Sequence, residues 1–253
     1  MTSPCPKCGY VRQTSDHSTM TGICPQCGIA VDKWLSRQEG NNQLHATRHK
    51  PVVKAARLSL VQKLQQQFLA LPQDINTTDI YSRAALLAIF ALWGASFILG
   101  GIDWQSIGGS FLHNAILPFH EFGHVLFSPF GRFMAILGGS LFQVLMPLGL
   151  MLAFSIQRCD NFAAAIMLWW CGQSFIDLSP YIADAPYRAI PLIRGMGEAA
   201  HDWGNLLTMT DSLGSAQGIA QTAFLIGSIL MTSAIVWGGY LLWQQYKQLD
   251  LHK

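Results

Sequence analysis

Two groups of residues in this chain have the types and spacing of metal chemistry. His120-Glu121-Phe122-Gly123-His124 puts two imidazoles four residues apart. On a helix they share one face and can hold one divalent cation, with a carboxylate beside them to take a proton from water, which is the arrangement of a zinc peptidase. Cys5-Pro6-Lys7-Cys8-Gly9 and Cys24-Pro25-Gln26-Cys27-Gly28 are two C-x-x-C-G knuckles 15 residues apart. That spacing lets four thiolates close a tetrahedral structural zinc site, and the glycine after each pair permits the tight turn that aims backbone N–H groups at sulfur. Four thiolates leave no open position, so catalysis is assigned to the histidine pair and structure to the cysteines.

The segments around the histidine pair are apolar, Ile116-Leu117-Pro118-Phe119 before it and Val125-Leu126-Phe127 after it. They belong in a bilayer, where ionisable groups are costly and mark function by default. Composition agrees: 51% of the 253 residues are hydrophobic, 12% are charged, and there are eight tryptophans, a multi-pass membrane profile. A net charge of +2 gives no electrostatic case for a nucleic-acid partner, so none is expected. The opening residues lack an apolar core behind a basic start, so no cleavable signal is expected and the N-terminus should be cytosolic. A reducing cytosol favours zinc over disulfides for the four cysteines.

The expected fold is mainly α: a multi-pass transmembrane helical bundle of about five spans preceded by a small zinc ribbon. Residues 1–32 form the ribbon, which is too small for a core and needs its metal to fold. Residues 33–82 form a linker and an amphipathic surface helix, polar over 36–50 and then apolar at Val53, Leu60, Leu64, Phe68 and Leu71 at helical spacing. His45 and His49 lack an acidic partner and are read as solvated. Residues 83–253 form the membrane metalloprotease-like domain. Its spans run over Ala84–Ile102, Gly108–Phe127, Phe133–Ile156, Phe162–Ala183 and Ile219–Trp243. With the N-terminus inside, Arg83, Arg132, Arg188 and Arg194 are cytosolic, as the positive-inside bias prefers.

Catalytic zinc takes three protein groups and leaves one position open, so a third ligand must come from elsewhere. Four residues compete: Asp177 and Asp184, seven apart on one helical face that Pro180 threatens to interrupt, and His201 and Asp202 in the polar stretch beyond. His113 is read as an interior or interfacial histidine. Gln143 and Ser140 could hydrogen-bond a substrate strand, although Gly138-Gly139-Ser140 is equally explained by close helix packing. Cys159 and Cys171 are read as inert, and Trp169-Trp170 as packing.

Here the residues resemble the site-2 protease family of intramembrane zinc metalloproteases. His120 to His124 match its H-E-x-x-H. Gly139-Ser140-Leu141-Phe142-Gln143 resembles its G-P-x-x-N segment, with Ser for Pro and Gln for Asn. Asp177 to Asp184 resembles its N-x-x-P-x-x-x-L-D-G, with Asp for Asn, one residue fewer and Ala185 for Gly. The resemblance covers residues 84–184. It implies Asp184 as third zinc ligand with His120 and His124, Asp177 as a group orienting substrate or a ligand histidine, and Glu121 as general base. His201 or Asp202 is the substitute ligand.

The expectation is therefore a membrane zinc endopeptidase, with one catalytic zinc in the membrane domain and one structural zinc on Cys5, Cys8, Cys24 and Cys27. Its partners would be a membrane-protein substrate, the lipid bilayer and a protein docked at the ribbon. The location expected is a bacterial inner membrane. The rival expectation is a non-catalytic membrane zinc protein that recruits a partner through its ribbon, but a purely structural site has no need of Glu121.

Overall fold

The computed structural model describes residues 3–17, 19–38, 59–72, 76–192, 197 and 200–251. They divide into two compact units, Met1–Arg57 and Leu58–Lys253. Most of the linker, His45, His49, the first part of the expected surface helix, Arg194 and Lys253 lie outside the described residues.

In the first unit each knuckle closes the same way. Gly9 N–H donates to Cys5 C=O at 2.8 Å and Gly28 N–H to Cys24 C=O at 2.9 Å. Both glycines have positive φ, 76° and 69°, a region that costs a side chain. Beyond these turns the unit has no strand among the described residues, only an antiparallel bridge between Ile23 and Ala30. A helix, α1, follows over residues 31–38.

The second unit is helical throughout: α2 Leu60–Phe68, α3 Thr77–Gly100, α4 Trp104–Gly108, α5 Phe111–Phe127, α6 Arg132–Ile156, α7 Asn161–Ala183, α8 Asp202–Met209 and α9 Ala216–Leu251. α7 is the buried centre. Its Trp169 and Ile176 join Phe97, Ile107, Leu112 and Met231 in the main apolar core. α7 and α9 cross at two glycines: a Cβ on Gly172 would lie 2.7 Å from Gly227 C=O, and one on Gly227 would lie 2.5 Å from Gly172 C=O. Backbones meet this closely only where both residues are small.

Among the described residues three helical stretches are long and apolar enough to cross a membrane: Thr77–Gly100, Arg132–Ile156 and Leu213–Leu249. The expected spans over Gly108–Phe127 and Phe162–Ala183 are not among them. The 17 residues of α5 rise about 25 Å at 1.5 Å each, short of the ~30 Å hydrocarbon core. α7 is long enough, but it carries Asn161, Gln173, Ser174, Asp177 and Ser179, all buried inside the protein. Pro180 does not break α7, which continues to Ala183. Its missing N–H would have bonded Ile176 C=O, and the Ser179 hydroxyl donates to that carbonyl instead, at 2.6 Å.

α2 is shorter than expected. A reciprocal Ser59–Gln62 capping box starts it, and Leu60, Val61 and Leu64 are exposed. Its far end is tied to the bundle: Gln67 donates to Ser155 C=O at 2.7 Å, Asn161 donates to Gln67 C=O at 2.7 Å, and the Trp237 indole donates to Phe68 C=O at 2.9 Å.

Candidate metal centre

α5 and α6 touch through glycines on the face that carries the histidines. A Cβ on Gly138 would lie 2.5 Å from Gly123 C=O, and one on Gly123 would overlap Gly138 C=O. This close approach sets Gly139 under the imidazoles: a Cβ there would sit 2.6 Å from both His120 Nε2 and His124 Nε2. Only a glycine leaves that space open beside the two nitrogens.

Each ring is anchored by its other nitrogen. His120 Nδ1 lies 2.9 Å from Gln143 Oε1, and His124 Nδ1 lies 2.8 Å from Ala135 C=O. Both acceptors require a proton on Nδ1, so in each neutral ring Nε2 is the nitrogen left to bind a metal, and both Nε2 atoms face inward. They meet one carboxylate oxygen, Asp202 Oδ2, at 3.1 Å from His120 Nε2 and 3.3 Å from His124 Nε2. Donor atoms of a tetrahedral zinc with bonds of 2.0–2.1 Å stand about 3.3 Å apart. The His120, His124 and Asp202 triangle therefore has the size and the N,N,O donor set that zinc takes.

Asp184, the third ligand implied by the family resemblance, is not in this triangle. Its carboxylate accepts Ile190 N–H at 2.9 Å and faces His201 Nε2 at 3.3 Å. His201, fully buried, uses Nδ1 to accept Gly204 N–H at 3.0 Å and so caps α8. The residue after that cap is Asp202. Its N–H donates to the Tyr181 hydroxyl at 2.8 Å, and the Trp203 indole donates to Ser140 Oγ at 3.1 Å. Asp184 and His201 thus hold the ligand's helix instead of ligating.

Asp177 also lies one step away. Its Oδ2 accepts from Gln143 Nε2 at 3.0 Å and its Oδ1 lies 2.9 Å from His113 Nδ1. Gln143 is saturated by Asp177, Ser174 C=O and His120 and is almost fully buried, so it has no group left for a substrate strand. Ser140 is occupied by Trp203, and its glycine neighbours serve the helix crossing.

Glu121 is exposed and borders a cavity of about 270 Å³ whose wall includes His120, His124 and Asp202. Leu117, Leu178, Ile190 and Leu192 give the rest of that wall an apolar character. A carboxylate beside two imidazoles and a second acid, at the edge of a mostly apolar chamber, can move protons for a substrate of apolar character.

The four cysteines form the second cluster. Cys5 Sγ and Cys27 Sγ are 3.8 Å apart and Cys8 Sγ and Cys24 Sγ 3.6 Å. Disulfide sulfurs would be about 2.05 Å apart, whereas a tetrahedron of 2.3 Å Zn–S bonds has edges of about 3.8 Å. The pKa of the Cys5 thiol is lowered to about 6, above all by the backbone N–H of Cys8, which favours a thiolate at neutral pH.

No family model, no curated protein and no solved structure matches the chain.

Proposed function

We propose that this chain is a zinc-dependent intramembrane endopeptidase that hydrolyses a peptide bond in or near a transmembrane segment of a membrane-protein substrate. The observation that carries the proposal is the meeting of His120 Nε2, His124 Nε2 and Asp202 Oδ2 on the wall of the cavity that Glu121 borders. His120, His124 and Asp202 would hold the metal. Bound there, zinc supplies Lewis acidity, acidifying water and polarising a carbonyl oxygen.

The remaining chemistry belongs to side chains of this protein. Glu121 takes the proton of the attacking water and returns it to the leaving amine. The anchored Nδ1 positions fix both imidazoles in direction, with Nε2 turned toward the metal position. Leu117, Leu178, Ile190 and Leu192 receive an apolar stretch of chain and restrict water at the site. A helical substrate hides its carbonyls in its own hydrogen bonds, so it must unwind locally before one can enter.

The site-2 protease resemblance remains part of this reading, with Asp202 in place of Asp184 as third ligand. A bacterial inner membrane and a cytosolic N-terminus belong to the same proposal. The test is cleavage of a panel of single-span peptides in lipid vesicles containing the full chain. The wild type should cut members of the panel, and Glu121→Gln should lose at least about 10²-fold in rate while retaining metal at both clusters. Undiminished cleavage by Glu121→Gln, or none by a wild type loaded at both clusters, would reject the proposal.

A further inference from the structure

Four side chains from three helices form one hydrogen-bonded line: His113 and His120 on α5, Gln143 on α6 and Asp177 on α7. Resting on the reading that His120, His124 and Asp202 hold a metal, we propose that Asp177, acting through Gln143, is the positioning residue that decides which nitrogen of His120 is free to bind it.

The argument turns on which way the Gln143 amide faces. Its nitrogen lies 3.0 Å from Asp177 Oδ2 and 3.2 Å from Ser174 C=O. Both are acceptors, so the NH₂ must point at them, and it spends both hydrogens there. Oε1 is then what His120 Nδ1 meets, at 2.9 Å. An oxygen can only accept, so Nδ1 carries the ring proton and, in the neutral ring, Nε2 is left as the nitrogen that can bind the metal. The reversed amide would set its oxygen against two acceptors and its NH₂ against Nδ1. That would drive the proton onto Nε2 and close the metal position.

The two ligand histidines differ in this respect. The Nδ1 proton of His124 is held by a backbone carbonyl, that of Ala135, which no side-chain change removes. His120 alone depends on a side chain, and that side chain depends on Asp177. The carboxylate is held on its other side by His113 Nδ1 at 2.9 Å, with the His113 ring edge-on to Trp104. With two donors on a buried carboxylate, Asp177 has a defined orientation to impose on Gln143.

The chemistry predicts a rescue. In Asp177→Asn one oxygen must serve two donors, Gln143 and His113. In Gln143→Glu two carboxylates face each other across 3.0 Å. In the double variant the introduced carboxylate accepts from His120, the introduced amide donates to it, and the amide oxygen still accepts from His113. Every direction along the line is restored, and only the hydrogen bond to Ser174 C=O has no replacement.

The experiment is cobalt titration of the full chain in detergent, where sulfur-to-cobalt charge-transfer absorption marks the cysteine cluster and separates it from the histidine site. Each single variant should weaken cobalt at the histidine site by about 10–100-fold, and the double should return to within about 10-fold of the wild type. Thiolate-site binding and helical content serve as folding controls. Singles that bind like the wild type, or a double as weak as the product of the two single effects, would overturn the proposal while leaving the peptidase reading intact. A wild type that binds cobalt only at the cysteines would overturn both. Ring-nitrogen NMR of His120 in the zinc-loaded wild-type protein gives a reading that needs no variant: a proton on Nδ1 with the metal on Nε2 is expected, and the reverse would contradict the proposal.

Discussion

At the residue scale, the decisive assignment is the third metal-ligand position, beside His120 and His124. Asp202→Ala should release the metal of the histidine cluster and leave that of the cysteines, measured as metal content per chain. Asp184→Asn should lower affinity at that cluster by no more than about 10-fold, because Asp184 acts through His201 and the α8 cap. Equal effects from both variants would contradict the geometry. The histidine pair, Glu121 and the four cysteines were legible in the sequence because short-range spacing places such residues on one helix face or around one turn. The choice between Asp184 and Asp202 was not, since it depends on how α8 returns to α5 after the chain leaves α7. His201-Asp202-Trp203 did carry a signal: a trio in which one residue caps α8, one turns its carboxylate to the histidine pair and one anchors through its indole.

At the scale of elements, glycines set the distances. Gly139→Ala would put a methyl group 2.6 Å from both Nε2 atoms. It should abolish metal binding at the histidine site, as read by metal content, while overpacking lowers the melting temperature by an amount equivalent to about 1–3 kcal/mol. A variant that kept its metal would show that the helices can part without consequence. The anchoring of α2 makes a separate prediction. Asn161→Leu removes the donor to Gln67 and Ala70 carbonyls and the partner of Ser155 Oγ, so it should cost about 1–3 kcal/mol in unfolding measurements. Hydropathy located the helices, three of which are long and apolar enough to cross a bilayer among the described residues. A run such as Phe162–Ala183 looks apolar residue by residue, yet its Gln173, Ser174 and Asp177 face a protein interior that composition cannot distinguish from lipid.

At the scale of the whole molecule, the chain joins two units that each carry a cluster of side chains able to hold a metal, of different kinds. The cysteine unit has too little apolar residue to fold without its ion, so Cys24→Ser should abolish its ordered structure and its metal together. The helical unit has its own core and should keep its histidine-site metal in the same variant. Three apolar helices, with Ile89, Leu92, Leu99, Ile229 and Val236 exposed, require a lipid or detergent partner. The chain should therefore stay with membranes through an alkaline wash, and release into the wash would contradict the membrane reading. The measurement that bears most directly on the central claim is zinc X-ray absorption on full-length protein carrying Cys→Ser changes at positions 5, 8, 24 and 27. The expected spectrum shows only nitrogen and oxygen neighbours at about 2.0–2.1 Å, and it disappears when Asp202→Ala is added. No bound zinc, or a spectrum that Asp202→Ala leaves unchanged, would contradict a metal centre built from His120, His124 and Asp202.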